Sequence, residues 1–326
     1  MKLPRFLLPA LALGLGTAFA DPAPAPKAAG FVRSIEHADK TTACETRCAE
    51  YLPASGSGPA IWLIGVAHLG TPEYYRAIQE RLDGHSVVLY EGVGLGEAVK
   101  RGPVAGMRDA GVQAGLAKAL GLVFQLDAID YRRPHFINSD VKADQLADQV
   151  QDRAARNPDP KAQKEDLMGS MMDALQGTGA IGAMMNQVIG VLGKTPEMQE
   201  MTKAVLVEAL GNAGELIGLA RGASPEMRDL FDTLLTDRNR IVIADLRAQL
   251  ARRGPGETIA IFYGAAHMDE IAAHLRSDLH YGPAKQEWLA AFNADPAKGG
   301  TNALQLRFMI EMAKMQLRAL QSSGKK

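Results

Sequence analysis

The chain has 326 residues, which is enough for one large or two small domains with a sizeable buried core. Lys and Arg total 36 against 37 Asp and Glu, so the formal net charge is −1. This balance excludes the basic surface that is typical of nucleic-acid-binding proteins. Hydrophobic residues make up 47% and charged residues 22%, which argues against wholesale disorder, collagen-like repetition and several membrane spans.

The first 20 residues have the three zones of a secretory signal. Lys2 and Arg5 precede an apolar run that ends in an Ala-x-Ala pattern at residues 18–20. The run is shorter than the ~20 apolar residues that span a bilayer, which favours cleavage over a retained anchor. We therefore predict cleavage after Ala20 and export, to a periplasm or outside the cell.

Residues 21–58 are interpreted as a Pro- and Ala-rich spacer with a segment that contains the two cysteines, Cys44 and Cys48. An oxidising compartment would let these thiols pair, and a disulfide closing so short a loop would serve as a local clamp. A metal site that adds His37 is the other interpretation. Two thiols and one imidazole lack the ligand spacing of a zinc site, however.

A strand, a helix and a second strand are predicted at the start of the first α/β half, residues 59–140. Residues 60–68 form a nearly continuous apolar run, as expected for a strand buried on both faces. Thr71 provides an N-cap for a helix that begins with a proline, and residues 86–92 form the second buried strand. Residues 135–140 are predicted to form a third, short strand.

Residues 141–235 are predicted to be a mainly helical insertion. Residues 174–193 within it carry no charge, and we interpret them as a buried helical hairpin or a lid over a cleft. A membrane span is the less favoured interpretation, because glycines and side-chain amides interrupt the run. The insertion ends in a helix that begins at Pro225, is predicted to break near residues 236–237 and then resumes. Its methionines suit either an adaptable apolar surface for peptide or lipid, or ordinary core packing: Met168, Met171, Met172, Met184 and Met185.

Residues 258–267 repeat the pattern of residues 60–68, with an apolar strand, then G-x-x-H, then a helix. The repeat predicts a second α/β half at residues 236–292, with a final strand near its end. The predicted fold class is therefore α/β, with two pseudo-repeated β-α units forming a central, mainly parallel sheet, and a large helical insertion. Residues 293–326 are predicted to be an amphipathic helix and tail. The predicted apolar face of that helix comprises Leu306, Met309, Ile310, Ala313, Leu317 and Leu320.

Three predicted strands end in ionisable residues that are unfavourable in a core without a partner: His68, Glu91 and His267. Ligands of open α/β folds bind at the carboxyl ends of the strands, where these residues would converge. Two imidazoles and a carboxylate are sufficient for a divalent metal with an open position for water. Gly65 and Gly264 would let the backbone approach such a site. The ordinary interpretations are a core or capping role for His68 and a helix-end or arginine contact for Glu91.

The motifs GVAH at residues 65–68, YEG with Glu91, TDRNR with Arg238 and YGAAH ending at His267 resemble the ordered motifs of the TraB/GumN family, which is related to the Tiki proteases. The resemblance covers about residues 60–292. It implies a divergent α/β fold with both G-x-x-H motifs, a glutamate and an arginine at one site. In the Tiki branch it implies a protease that uses manganese or cobalt. The wider fold group also includes erythromycin-esterase-like hydrolases and a haem-binding iron-uptake lipoprotein.

Carried over by position, the resemblance implies that His68 and His267 are metal ligands. Glu91 would be a third ligand or the general base that accepts a proton from water. Arg238 would hold a substrate carboxylate or stabilise an oxyanion, since its guanidinium stays charged and presents a planar fork of donors.

Two further interpretations concern the surroundings of these residues. A salt bridge of Arg238 with Asp237 or Asp232 on a solvated helix is the structural alternative to a catalytic role. Asn138 and Asp140 could line the same cleft, although capping of the following helix is the role expected of Asp140.

The sequence thus predicts a secreted, periplasmic, metal-dependent hydrolase of the TraB/GumN type, with a peptidase as one form of it. Its cofactor would be a divalent transition metal, manganese, cobalt or zinc, and its substrate a peptide or small molecule. The alternative is a non-enzymatic periplasmic protein that binds haem, a metal or a small ligand. A third hypothesis is membrane association through residues 174–193. The substrate, the bond cleaved and the oligomeric state stay open.

Overall fold

The structure is a computed structural model that describes residues 30–92, 112–141 and 179–323. The predicted signal sequence and the first part of the predicted insertion, residues 142–178, lie outside the described residues. The strands are β1 Val32–Glu36, β2 Thr42–Pro53, β3 Ala60–Val66, β4 Leu69–Gly70, β5 Val87–Tyr90, β6 Val123–Phe124, β7 Phe136–Asn138, β8 Thr258–Gly264 and β9 Tyr281–Ala294. The first helices are α1 Pro72–Asp83, α2 Val112–Ala119, α3 Gln125–Ala128, α4 Gly179–Leu192, α5 Pro196–Gly211 and α6 Ala213–Arg221. The later helices are α7 Pro225–Phe231, α8 Asp237–Leu250, α9 Ala265–Ser277 and α10 Ala303–Ser323, and a π-helical segment, Asp232–Thr236, joins α7 to α8.

The centre of the main sheet is parallel. Strand β3 pairs with β8, β8 with β5, and β5 with β7, all in parallel, while β1, β2 and β9 add an antiparallel region at one side. Helices α4 to α8 lie between β7 and β8 in the chain. The predicted α/β class, with a mainly parallel central sheet and a helical insertion, is confirmed.

Strand β8 lies between β3 and β5, although it follows them by well over 150 residues. Its register places Val66 opposite Gly264 and Tyr90 opposite Phe262. The three strands that carry the predicted site are therefore direct neighbours, and all three run in the same direction.

Apolar side chains cover both faces of the three central strands, because successive residues of a strand point to opposite faces. On one face Ile64 and Phe262 pack in a cluster with Ile78 of α1. On the other face Leu63 and Ile261 pack in a cluster with helices α8 and α9. Burial on both faces explains why these strands are continuous apolar runs in the sequence.

The segment interpreted as a spacer, residues 21–58, contains two strands of the main sheet. Strand β2 is twelve residues long and pairs with β1, β3 and β9. Its pattern is not an apolar run, because Thr42 and Thr46 occupy fully buried positions. Because polar residues occupy core positions, the hydrophobic pattern of the sequence did not indicate this strand.

The expected disulfide is not formed. Cys44 and Cys48 are both free and fully buried, and both belong to β2. Four residues along a strand cover roughly 13 Å, whereas a disulfide needs Cα atoms within about 7 Å. Burial raises the pKa of each thiol to about 12.

The predicted helix break near residues 236–237 is wrong. Helix α7 continues through the π-helical segment into α8, without the glycine or proline that would end it. Thr236 and Asp237 are typical helix-start residues, which explains the prediction. π-Helical turns occur frequently at functional sites, and this one ends two residues before Arg238.

The C-terminal helix α10 matches the predicted apolar face in part. Leu306 is buried, and Ile310, Ala313 and Leu317 are half-buried on the same side. Met309 and Leu320 are exposed, so the stripe is narrower than predicted. None of the helices that the structure describes is long and apolar enough to cross a membrane.

Candidate functional site

The three predicted site residues lie at the carboxyl edge of the parallel strands. His68 follows β3 by two residues, Glu91 directly follows β5, and His267 lies in the first turn of α9, which begins where β8 ends. Arg238 of α8 and Asp140, just after β7, join them. We call these five residues the strand-end cluster.

Glu91 is the centre of the cluster. Its Oε1 accepts a hydrogen bond from Nη2 of Arg238 at 2.5 Å and lies 3.6 Å from Nε2 of His267. Its Oε2 accepts the backbone N–H of Gly264 at 2.6 Å. Gly264 is the N-cap residue of α9, so this carboxylate also lies at the positive end of a helix dipole.

The carboxyl group of Glu91 is held in its ionised form. Burial alone would raise its pKa, but the charge of Arg238 is the largest of the effects that hold the pKa well below its ordinary value. Glu91 therefore keeps its negative charge near neutral pH, which suits the binding of a cation, and it is not suited to act as a proton donor there.

Arg238 is buried and contacts two carboxylates. Nε donates to Oδ1 of Asp140 at 2.9 Å, and Nη2 donates to Oδ2 of Asp140 at 2.7 Å. Nη1 donates to the carbonyl of Leu234 at 3.1 Å. Although burial opposes the charged form, Glu91 and Asp140 raise the pKa of the guanidinium above its ordinary value. Each guanidinium nitrogen already has a partner within the protein.

The alternative interpretation of Arg238, a salt bridge on its own helix, is wrong. Asp237 pairs with Arg240 at 2.9 Å, and Asp232 pairs with Arg221. Adjacent helical residues point in directions about 100° apart, so Arg238 faces the sheet while Asp237 does not.

Asp140 contacts both Arg238 and the end of β5. Its side chain is fully buried, and besides Arg238 it accepts the backbone N–H of Gly92 at 3.0 Å. Asn138 donates to the carbonyl of the same glycine at 3.2 Å. These contacts fix the end of β5, and hence Glu91. A helix after Val141 lies outside the described residues.

Each imidazole of the cluster contacts a buried carboxamide. Nδ1 of His68 lies 2.8 Å from Oε1 of Gln125, and Nδ1 of His267 lies 2.8 Å from Oδ1 of Asn239. Gln125 is 2% exposed and Asn239 is fully buried. Sequence analysis missed both residues; the only signal for Asn239 was its position next to Arg238 in the TDRNR motif.

The two glycines of the G-x-x-H motifs differ in their surroundings. A Cβ on Gly264 would lie 3.1 Å from Oε2 of Glu91 and 3.1 Å from Nε2 of His68, so glycine leaves room inside the cluster. A Cβ on Gly65 would meet Phe31 and the carbonyl of Arg47 instead. The expected role of Gly65 at the site is therefore wrong: it accommodates Phe31 and the backbone of β2.

The cluster is one positive charge short. Two carboxylates, Glu91 and Asp140, share one guanidinium, so the formal charge is −1 when both imidazoles are neutral. Within the ranges that the structure describes, no group of three or more His, Cys, Asp or Glu side chains is arranged to hold a metal ion. Arg238 and Gly264 contact the Glu91 carboxylate through both of its oxygens.

Comparisons with models of known protein families, with curated proteins and with solved structures found no match to this chain. An activity must therefore be argued from the strand-end cluster.

Proposed function

We propose that this chain is a secreted, periplasmic hydrolase in which the strand-end cluster prepares a water molecule for attack with the help of a divalent transition metal. The observation that carries the proposal is the convergence of Glu91, Arg238 and two imidazoles at the carboxyl edge of a parallel sheet, where open α/β folds bind ligands. The motif resemblance to the TraB/GumN family supports peptides as the first substrates to test. The signal-like residues 1–20 support export.

His68 and His267 would hold the metal, with the carboxylate of Glu91 beside it. Imidazole nitrogens and carboxylate oxygens are ligands that manganese, cobalt and zinc accept. The formal charge of −1 and the room left by Gly264 both favour a cation. The donor types therefore fit, whereas the spacing of the described side chains does not form a closed ligand set. Such an ion would lower the pKa of a bound water and polarise a carbonyl.

Glu91 is proposed as the general base. It stays ionised, and its Oε1 can take a proton from a water held near His267. Arg238 is proposed to fix Glu91, because its nitrogens are already occupied by Glu91, Asp140 and a backbone carbonyl. This differs from the role of substrate or oxyanion binding that the resemblance implies.

Metal titration is the first test of this proposal. We expect the full exported protein to bind manganese, cobalt or zinc, and His68→Ala and His267→Ala to weaken binding by at least about 100-fold. His274→Ala is the matched control, because His274 belongs to the same helix as His267 but pairs with Asp278 away from the cluster. Equal affinity in all four proteins, or no binding in any, would refute the metal site.

Turnover is the second test. A panel of peptides and esters should be hydrolysed by the metal-loaded protein, and Glu91→Gln should lower kcat by about 100-fold or more, as expected for loss of a general base. If the protein binds metal or haem tightly but hydrolyses nothing in the panel, the non-enzymatic binding protein becomes the better description.

A further inference from the structure

We infer that Gln125 and Asn239 are positioning residues that hold His68 and His267 in the tautomer with the proton on Nδ1, so that both Nε2 lone pairs face the strand-end cluster. The purpose of this arrangement rests on the proposed function. The tautomers themselves are inferred from the hydrogen-bond partners and do not depend on that function.

The contact atoms determine the tautomers. A carboxamide oxygen can only accept a hydrogen bond, so each Nδ1 at 2.8 Å from such an oxygen must be the donor. A neutral imidazole that donates through Nδ1 has its lone pair on Nε2. Nε2 of His267 faces Oε1 of Glu91 at 3.6 Å, and Nε2 of His68 lies beside Gly264 at the same carboxylate.

Gln125 is held in place for this contact. Strand β4 pairs with β6 in antiparallel register, with Leu69 opposite Phe124. The residue before Leu69 and the residue after Phe124, His68 and Gln125, are therefore neighbours. The backbone N–H of Gln125 donates to the carbonyl of His68 at 2.9 Å, and its Nε2 donates to the hydroxyl of Tyr131 at 2.8 Å. Backbone and side chain together fix the position of its Oε1.

The presence of an asparagine at position 239 is not explained by a contribution to stability. It is fully buried, and its Nδ2 has no hydrogen-bond partner among the described residues. A buried amide with an unsatisfied donor has a free-energy cost that an apolar side chain of similar size avoids. Its Oδ1 contact with His267 is the feature that a leucine at this position would lose.

His68 and His267 have the same kind of partner, a buried carboxamide, but the two partners come from different elements of the fold. Gln125 comes from a short helix after β6, whereas Asn239 comes from α8, and neither residue belongs to the repeated strand and G-x-x-H units. Two unrelated elements thus provide a buried carboxamide oxygen to the same ring atom. Ligating histidines are commonly oriented in this way, by a hydrogen bond from the ring nitrogen that does not bind the metal.

The experiment is nitrogen-15 NMR of the full, metal-free protein labelled at histidine, at about pH 8, where long-range proton–nitrogen correlations distinguish the two neutral tautomers. His68→Gln and His267→Gln identify the two rings. We expect the Nδ1–H pattern for both.

The variants test the two carboxamides separately. Asn239→Leu should remove the preference of His267 for the Nδ1–H tautomer, and Gln125→Leu should do the same for His68. Asn239→Asp and Gln125→Glu keep an acceptor oxygen and should retain the pattern. Gln249→Leu is the matched control, a buried carboxamide on the same helix as Asn239 whose Oε1 contacts an arginine.

An Nε2–H pattern or an even mixture for either ring in the wild-type protein overturns the inference, and this result needs only the two assignment variants. Persistence of the Nδ1–H pattern in folded Asn239→Leu and Gln125→Leu overturns it too. Zinc titration provides the second measurement: we expect about 10- to 100-fold weaker binding in the two leucine variants and no change in Gln249→Leu. If the wild-type protein binds no metal, the proposed function fails while the tautomers can still be read.

Discussion

Gly264 lies where the strand-end cluster leaves little room for a side chain. Its backbone has φ of −50° and ψ of 137°, which alanine adopts without strain. A Cβ would lie 3.1 Å from both Oε2 of Glu91 and Nε2 of His68. We therefore expect Gly264→Ala to fold and to lose at least about tenfold in metal affinity and turnover, because the ligands must shift by a few tenths of an ångström.

Gly218→Ala is the matched control for that variant. Gly218 is an exposed residue inside α6, and a Cβ there meets nothing within 4 Å. Alanine in a helix interior should raise the free energy of unfolding by about 0.5–1 kcal/mol without affecting the site. Thermal melting and metal titration of both variants make the comparison. A Gly264→Ala protein with wild-type affinity would show that the cluster is not where the metal binds.

Residues at strand ends could be predicted, and their partners could not. His68, Glu91 and His267 each end an apolar run, which is a local signal. Gln125 approaches His68 from 57 residues away, and Asp140 approaches Arg238 from 98 residues away. Such contacts depend on how strands and helices pack, so a single sequence gives no sign of them.

At the scale of elements, the sequence repeat predicted more symmetry than the fold contains. After β8, helix α9 begins at once and includes His267. After β3, the chain first forms β4, and α1 begins only at Pro72, with Thr71 as its N-cap. Hydroxyls of Tyr74 and Tyr75 bind the backbone of Ala67 and fix this longer connection. Because β4 pairs with β6, the asymmetry gives His68 its contact with α3.

Helix α10 is attached to the rest of the molecule through a buried cation. Lys314 is 4% exposed, and its Nζ donates to Asn212 at 2.7 Å and pairs with Glu215 at 2.9 Å. Lys314→Met should leave Oδ1 of Asn212 without this donor, while Glu215 keeps its pair with Arg318. The free energy that holds α10 in place should fall by about 1–3 kcal/mol, because Leu306 is the main other buried contact among the described residues of this helix. Hydrogen exchange should then be about 5- to 150-fold faster in residues 303–323 and unchanged in β3, β5 and β8.

Lys298→Met is the control for this prediction. The side chain of Lys298 is 74% exposed and pairs only at the surface, with Asp295 at 3.2 Å. Exposed pairs contribute little to stability, so exchange in α10 should stay at the wild-type rate. Uniform acceleration across the whole protein in Lys314→Met would show that the lysine supports global folding rather than the attachment of one helix.

At the scale of the whole molecule, the strand order is the part of the fold that sequence reasoning could not supply. Apolar runs indicated β3, β5 and β8 individually. Nothing local indicates that β8 inserts between the other two, because pairing across more than 150 residues is decided by packing of the complete sheet. This insertion brings both G-x-x-H motifs to one edge. Strands β1 and β2 were missed for the related reason that β2 has threonines at buried positions.

The reactivity of Cys44 and Cys48 in exported protein tests whether the fold described here forms in the compartment that we propose. Strand β2 lies inside the sheet and keeps Cys44 and Cys48 apart, and burial raises the pKa of both thiols to about 12, so neither should be reactive in the native protein. We expect protein exported to a periplasm to show no thiol that reacts with Ellman's reagent at about pH 8 before denaturation, and both thiols after it, without added reductant. The control is the same count on protein denatured with reductant. Two thiols with reductant and none without it would mean that export forms the disulfide, and that the β2 register described here is not the one the secreted protein adopts.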